Sequence, residues 1–200
     1  SRQSRLRLPA EFIRDQALAV SGLLNPEIGG KSVSPYQPAG IWEELASRAD
    51  GDNWTAQKYK QDHGKDLYRR TMYTYWKRTA PPPSLMTFDA PDREICVVKR
   101  ARTNTPLQAL VTMNDPTYVE ASRKLAERII KEGGATTETR VQYAYKLLAS
   151  RKATDREVAI VGKLYQAQLA SFKANKEKAQ KLMKVGESPA DDKLDPVEIA

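Results

Sequence analysis

Cysteine and histidine are almost missing: Cys96 and His63 are the only ones in 200 residues. One cysteine excludes an internal disulfide. The pair together exclude a zinc site of the usual Cys/His kind and a Cys-x-x-Cys-His haem attachment, and a Ser-His-Asp triad would have to use His63. No apolar run approaches the ~20 residues that a membrane-spanning helix requires. The opening SRQSRLRLPAEF has neither a starting Met nor the apolar core of a signal peptide. Metal binding by carboxylates alone stays chemically open, but no spacing matches a calcium loop, and no metal ligand is assigned.

What is present is ordinary for a globular chain, 40% hydrophobic and 29% charged, with a net charge of +8. The location of that excess is less ordinary. Between Tyr68 and Thr105 eight basic residues (Arg69, Arg70, Lys77, Arg78, Arg93, Lys99, Arg100, Arg102) face three acids (Asp89, Asp92, Glu94). The same stretch follows neither the 3.6-residue nor the two-residue hydrophobic period, as expected of a segment that holds particular side chains in place.

Around it the pattern is helical. Residues 9–24 present Phe12, Ile13, Ala17, Val20 and Leu24 as an apolar stripe, and 41–49 read as a short helix showing Ile41, Trp42 and Leu45. Residues 50–65 read as an exposed polar excursion. Residues 68–78 read as irregular or strand-like, Pro81-Pro82-Pro83 as extended, and 95–98 as a short strand with Cys96 buried. Further helices are expected at 106–114, 116–132, 138–150 and 155–184. Their signals are Thr105-Pro106, Asn114-Asp115-Pro116 and the capping box Thr154-Asp155-Arg156-Glu157. The inward candidates are Leu107, Leu110 and Val111; Tyr118, Val119, Ala121, Leu125, Ala126, Ile129 and Ile130; Val141, Tyr145 and Leu148; and Val158, Val161, Leu164, Tyr165, Leu169 and Phe172. Asp195-Pro196-Val197-Glu198 repeats the helix-opening signature, and the chain reads as a piece of a longer polypeptide.

Three constellations carry chemistry. Arg100, Arg102, Asn104 and Gln108 sit at the start of the 106–114 helix, where free N–H groups and basic side chains can hold an anion, or where the same residues brace loops. Asp89, Asp92 and Glu94, with Asp115 further on, are the candidate acid–base carboxylates; tied to arginines they would be structural instead. Arg69, Arg70, Trp76, Lys77 and Arg78 combine stacking surface and charge, suited to sugars, to bases, or to core packing. No helix-turn-helix, zinc-finger or RNA-binding pattern supports the nucleic-acid alternative. The lysines at 173–184 read as a solvated helix face.

The stretches SGLLNPEIGGKSVSPYQPAGIWEELA (21–46), LYRRTMYTYWKRTAPPPSLMTFDAPDRE (67–94) and RTNTPLQALVTMNDPTYVEASRKLAERII (102–130) resemble the Planctomycete PSD-one family, domain of unknown function 1553. The resemblance implies an extracytoplasmic domain of a large planctomycete or verrucomicrobial envelope protein. Haem c would sit in a separate cytochrome-type domain, the partners would be neighbouring domains of the same polypeptide, and polysaccharide is the implied target. The family brings no agreed catalytic residues.

The expected fold is therefore mainly α: one truncated, bundle-like domain with a family body at 9–132 and a helical part at 137–200. A long irregular segment at 50–105 leaves room for two short strands. The expected role is an accessory or interaction domain that binds polysaccharide. A polysaccharide-acting enzyme and a nucleic-acid binder are the alternatives.

Overall fold

Pro9 opens the first helix, α1 (Ala10–Ser21), its carbonyl accepting from Phe12 and Ile13 N–H at 3.0 and 3.1 Å. The computed structural model describes residues 7–45 and 58–200. The helix ends earlier than its apolar pattern suggests. Gly22 takes a left-handed φ of +79°, and Leu23 N–H returns to the Leu18 carbonyl at 2.9 Å, a glycine C-cap that outranks the apolar Leu24 beyond it. The buried line of α1 also differs from the expected stripe. Ala10, Arg14, Leu18 and Ser21 are buried, whereas Phe12 is 56% exposed. A stripe counted from apolar residues alone overlooks the arginine at its centre.

The chain divides into two units, Ser1–Asp15 with Leu24–Asp115 and Gln16–Leu23 with Pro116–Ala200. The first holds the irregular segment and is organised by arginine. Arg14 donates to the carbonyls of Leu67 (2.6 Å) and Arg69 (3.0 Å) and to Thr71 Oγ1 (3.1 Å). Asp15 beside it accepts from Thr71 N–H and Oγ1. Arg69 is 4% exposed and donates to the carbonyls of Lys31, Glu27 and Gly29, with its guanidinium 4.0 Å from the Tyr73 ring centre. The only pairings between extended segments among the described residues are two isolated parallel bridges, Asn25 with Arg69 and Val33 with Thr74.

The helices of this unit are short: α2 (Ile41–Leu45), α3 (Pro83–Thr87) and α4 (Pro106–Asn114). Single 3₁₀ turns lie at Gly64–Tyr68 and Thr71–Tyr73. Pro83 at the first helical position opens α3 where the triple proline suggested only extended chain. The strand expected at 95–98 is absent. No segment among the described residues forms a bridge with that backbone, and Ile95, Val97 and Val98 are exposed, as is Cys96, which was expected buried. Trp42 is buried as α2 presents it. The Leu45 side chain and residues 46–57, which take in the end of that helix and the first part of the expected 50–65 excursion, lie outside what is described; in the remainder Tyr59 is half-buried rather than exposed, its ring centre 5.2 Å from that of Trp42.

The second unit is helical: α5 (Pro116–Glu132), α6 (Thr137–Ala149), α7 (Asp155–Ala174), α8 (Lys176–Met183) and α9 (Pro196–Ile199). The expected single helix at 155–184 breaks at Asn175, whose side chain caps α8 by accepting from Lys178 N–H (3.2 Å). The lysine run on α7 and α8 is exposed. Leu148 and Leu164, expected inward, are 46% and 58% exposed, and α7 buries no residue fully. On α5 Tyr118 and Ala121 are buried, but the other fully buried side chains include Glu120, Arg123 and Glu127. These charges clip on the loop after α8: Glu120 accepts from Ser188 N–H (2.6 Å), and Arg123 donates to the Ser188 carbonyl and hydroxyl (2.6 and 2.7 Å). Gly186 makes this possible, because its φ is +85° and a Cβ there would stand 2.2 Å from Glu120 Cδ.

Two stability predictions follow from these clamps. Arg69→Met should cost about 3 kcal/mol, since it strands buried carbonyls, while the exposed Arg78→Ala should stay within ~0.5 kcal/mol. Gly186→Ala should cost at least ~2 kcal/mol through clash and a disfavoured φ. Urea unfolding of the three variants checks both.

Candidate anion-binding cleft

Local chain geometry in the first unit brings distant basic residues together. Asp89 ends α3 in a left-handed conformation (φ +62°). Its carboxylate accepts from Thr103 N–H (2.7 Å) and Thr103 Oγ1 (2.9 Å) and forms an ion pair with Arg7. Arg7 also donates to the Phe88 carbonyl at 3.3 Å. Gln108 is buried at 5% exposure and donates to the Thr87 carbonyl (3.0 Å) and Thr103 Oγ1 (3.2 Å). It thereby fixes the start of α4 against the end of α3.

These bonds hold open a cleft of about 800 Å³, lined by Arg7, Leu8, Pro9, Phe88, Asp89 and residues 99–102. Four cations line it against one carboxylate. Arg7 is neutralised by Asp89, and Arg100 by Glu11, with Nη1 at 3.0 and 2.7 Å from the two oxygens. Lys99 and Arg102 are exposed and have no ion-pair partner among the described residues. Burial works to raise the Asp89 pKa, but the Thr103 hydrogen bonds and Arg7 outweigh it and hold the carboxyl below its usual value. A carboxyl so held is a poor proton donor at neutral pH.

Of the residues singled out in the sequence, Asp89, Arg100 and Arg102 reach this cleft. The others lie elsewhere. Asp92 caps its own loop, Oδ1 accepting from Glu94 N–H (3.1 Å), and Glu94 is exposed. Asp115 closes α4, its N–H donating to the Val111 carbonyl. Arg69 is sealed among backbone carbonyls and cannot present its guanidinium to a ligand. Arg70 is half-buried and Asn104 exposed. Trp76 donates Nε1–H to the Asp92 carbonyl (2.9 Å), and Arg93 covers its ring at 4.3 Å. Lys77 lies 4.3 Å from the Trp42 ring centre. The proposed stacking surface is thus occupied by the protein's own cations, and of that group only Arg78 is exposed.

Sequence reasoning passed over Arg7 and Glu11, and counted Lys99 only in the basic excess without assigning it to a site. The available signal was the basic opening SRQSRLR, whose partner Asp89 is 82 residues away. Among the described residues no group of three or more His, Cys, Asp or Glu stands close enough to hold a metal ion, and no helix is long and apolar enough to cross a membrane.

Because Asp89 is held below its ordinary value when folded, its carboxylate stabilises the fold at neutral pH. That contribution is lost as pH falls below about 4, the range of an unperturbed aspartate. Asp89→Asn should therefore show a lower urea midpoint than wild type at pH 6. The gap should narrow towards pH 2.5.

A family model described as "PSD1: Protein of unknown function (DUF1553)" matches residues 1–165. No curated protein and no solved structure matches the chain.

Proposed function

The chain belongs to the PSD1 family (DUF1553), and on that premise we propose that it is an accessory interaction domain which binds an anionic polysaccharide in the cleft between the Arg7 and Lys99–Arg102 segments. The observation that carries this reading is the pair of open cations, Lys99 and Arg102, in a cleft whose single carboxylate is already neutralised. Half-exposed Leu8 and half-buried Pro9 add an apolar wall suited to the C–H face of a sugar ring. The setting carried by the family resemblance is a cell-envelope polypeptide with a separate haem c domain, so neighbouring domains are the expected partners.

The polysaccharide-cleaving alternative has less support. A glycosidase needs two carboxyl groups about 5–9 Å apart across one cleft, one of them a competent acid. Among the described residues Asp89 is the only carboxylate lining this cleft, and it is held ionised.

Binding of sulfated glycan, uronate glycan, neutral glycan and duplex DNA should be titrated against salt for wild type, Lys99→Glu/Arg102→Glu and Arg78→Glu. The expected result is saturable binding of the acidic glycans, weakened about tenfold or more by the double reversal and little changed at Arg78. Equal affinity for neutral glycan, indifference to the double reversal, or a preference for DNA would overturn the proposal.

A further inference from the structure

The loop that carries Lys99 and Arg102 is bare chain. From Arg93 to Thr105 every residue is exposed, and none belongs to a helix or a bridge. Among the described residues no hydrogen bond reaches the main chain of residues 95–102, and the side-chain bonding there is that of Arg100 to Glu11.

Firm anchors stand on both sides of it. Upstream, the Asp92 carbonyl accepts from Trp76 Nε1–H at 2.9 Å, and Arg93 lies over the Trp76 ring. Downstream, Thr103 is bonded to Asp89 and to Gln108, and Gln108 to the Thr87 carbonyl. The loop is strung between two fixed points.

Proteases take up their substrates as extended chain, whose main-chain groups must be free to bond to the enzyme. Helices and hydrogen-bonded turns refuse that shape until they open locally, at a cost in free energy. Residues 95–102 need no such opening. Their side chains select the class of protease. A trypsin-like enzyme recognises its site by drawing one Lys or Arg side chain into a pocket that ends in a carboxylate. Lys99, Arg100 and Arg102 are three such side chains in a row of four residues, and none is followed by proline. Other exposed cations are better guarded. Lys173, Lys176, Lys178 and Lys181 lie on α7 and α8. Arg69 holds the Lys31 carbonyl, and Arg151 is pinned to Glu157 and to the Lys152 carbonyl.

We propose that this loop is a processing site: a trypsin-like serine protease cuts the folded protein after Lys99, Arg100 or Arg102, and the two pieces stay associated. Water adds across the scissile peptide bond. A carboxylate forms on the residue before the cut, and the amine after it takes up a proton. For each of these cuts the Asp89–Thr103 and Thr87–Gln108 bonds still join the pieces. A cut after Lys99 or Arg100 puts the two open cations of the cleft on separate pieces. On the anion-binding reading, ligand and protease compete for the same side chains, so an occupied cleft is shielded and an empty one is cut.

Dilute trypsin acting on the folded chain, with products followed by intact mass, tests this. Cuts after Lys99, Arg100 or Arg102 are expected at least about tenfold faster than cuts at the lysines of α7 and α8. The two pieces should elute together from a native sizing column. Lys99→Gln/Arg100→Gln/Arg102→Gln, checked for folding by circular dichroism, should lose these cuts and keep the others. Loop cuts no faster than helical ones, or pieces that part in native buffer, would sink the proposal. Dextran sulfate should slow the loop cuts at least about fivefold without slowing trypsin on a free peptide. Fast loop cleavage indifferent to dextran sulfate would leave the processing site standing and count against the anion-binding reading alone.

Discussion

Irregular backbone has to satisfy its carbonyls without a helix or a ladder, and in the first unit buried guanidinium groups do this work. Arg14 gathers the carbonyls of Leu67 and Arg69, and Arg69 gathers those of Glu27, Gly29 and Lys31. A guanidinium carries five donors in a rigid plane and cannot lose its charge, so one side chain holds several turns at once. Burying the ion is costly, and the carbonyl dipoles offset that cost only while every turn stays in place. The clamp is consequently all-or-none. It also explains why a basic protein can carry so many arginines with few of them free for ligands.

The cleft depends on the same economy at a smaller scale. Gln108 and Thr103 tie the end of α3 to the start of α4, and Asp89 ties both to Arg7. Once those groups are spoken for, Lys99 and Arg102 are left facing outwards by the geometry of the loop. Binding there would be of the kind that exposed charges give: fast, specific for sign and sensitive to salt.

Helices marked by caps were legible in the sequence, because capping is local. Thr154 with Glu157 and Thr105 with Gln108 behave as their spacing implies, and Asp195 caps α9 through Val197 N–H although Glu198 turns to Arg140 instead of back to the cap. What failed was the inference from apolarity to burial. Phe12, Leu148 and Leu164 are exposed, while Arg14, Glu120, Arg123 and Glu127 are inside. A hydrophobic count cannot register a buried charge whose partners are backbone atoms many residues away. The break at Asn175 was missed because the apolar and basic residues around it continue a helical pattern, while the side-chain cap that interrupts it depends on one residue. The two-unit division at Asp115 and Pro116 falls within what reads as a continuous family body. Within the site, Asp89 and Arg102 were visible as residue types, but Arg7 was not, since its role exists only once a contact over 82 residues has formed.

The distance spanned by the arginine clamp has a kinetic consequence. Arg14 meets its partners 53 to 57 residues further along the chain. Closing a loop of that size requires chain entropy to be spent before any of the rewarding contacts exist. Within the second unit α5, α6 and α7 face a smaller barrier: they follow one another, and neighbouring helices in that series pack together. By the relation between contact order and rate, the local α5–α7 packing is favoured to form before the arginine clamp closes. A protein of this design spends its early folding time with Arg14 and Arg69 hydrated, and acquires its first-unit core only when the clamp closes.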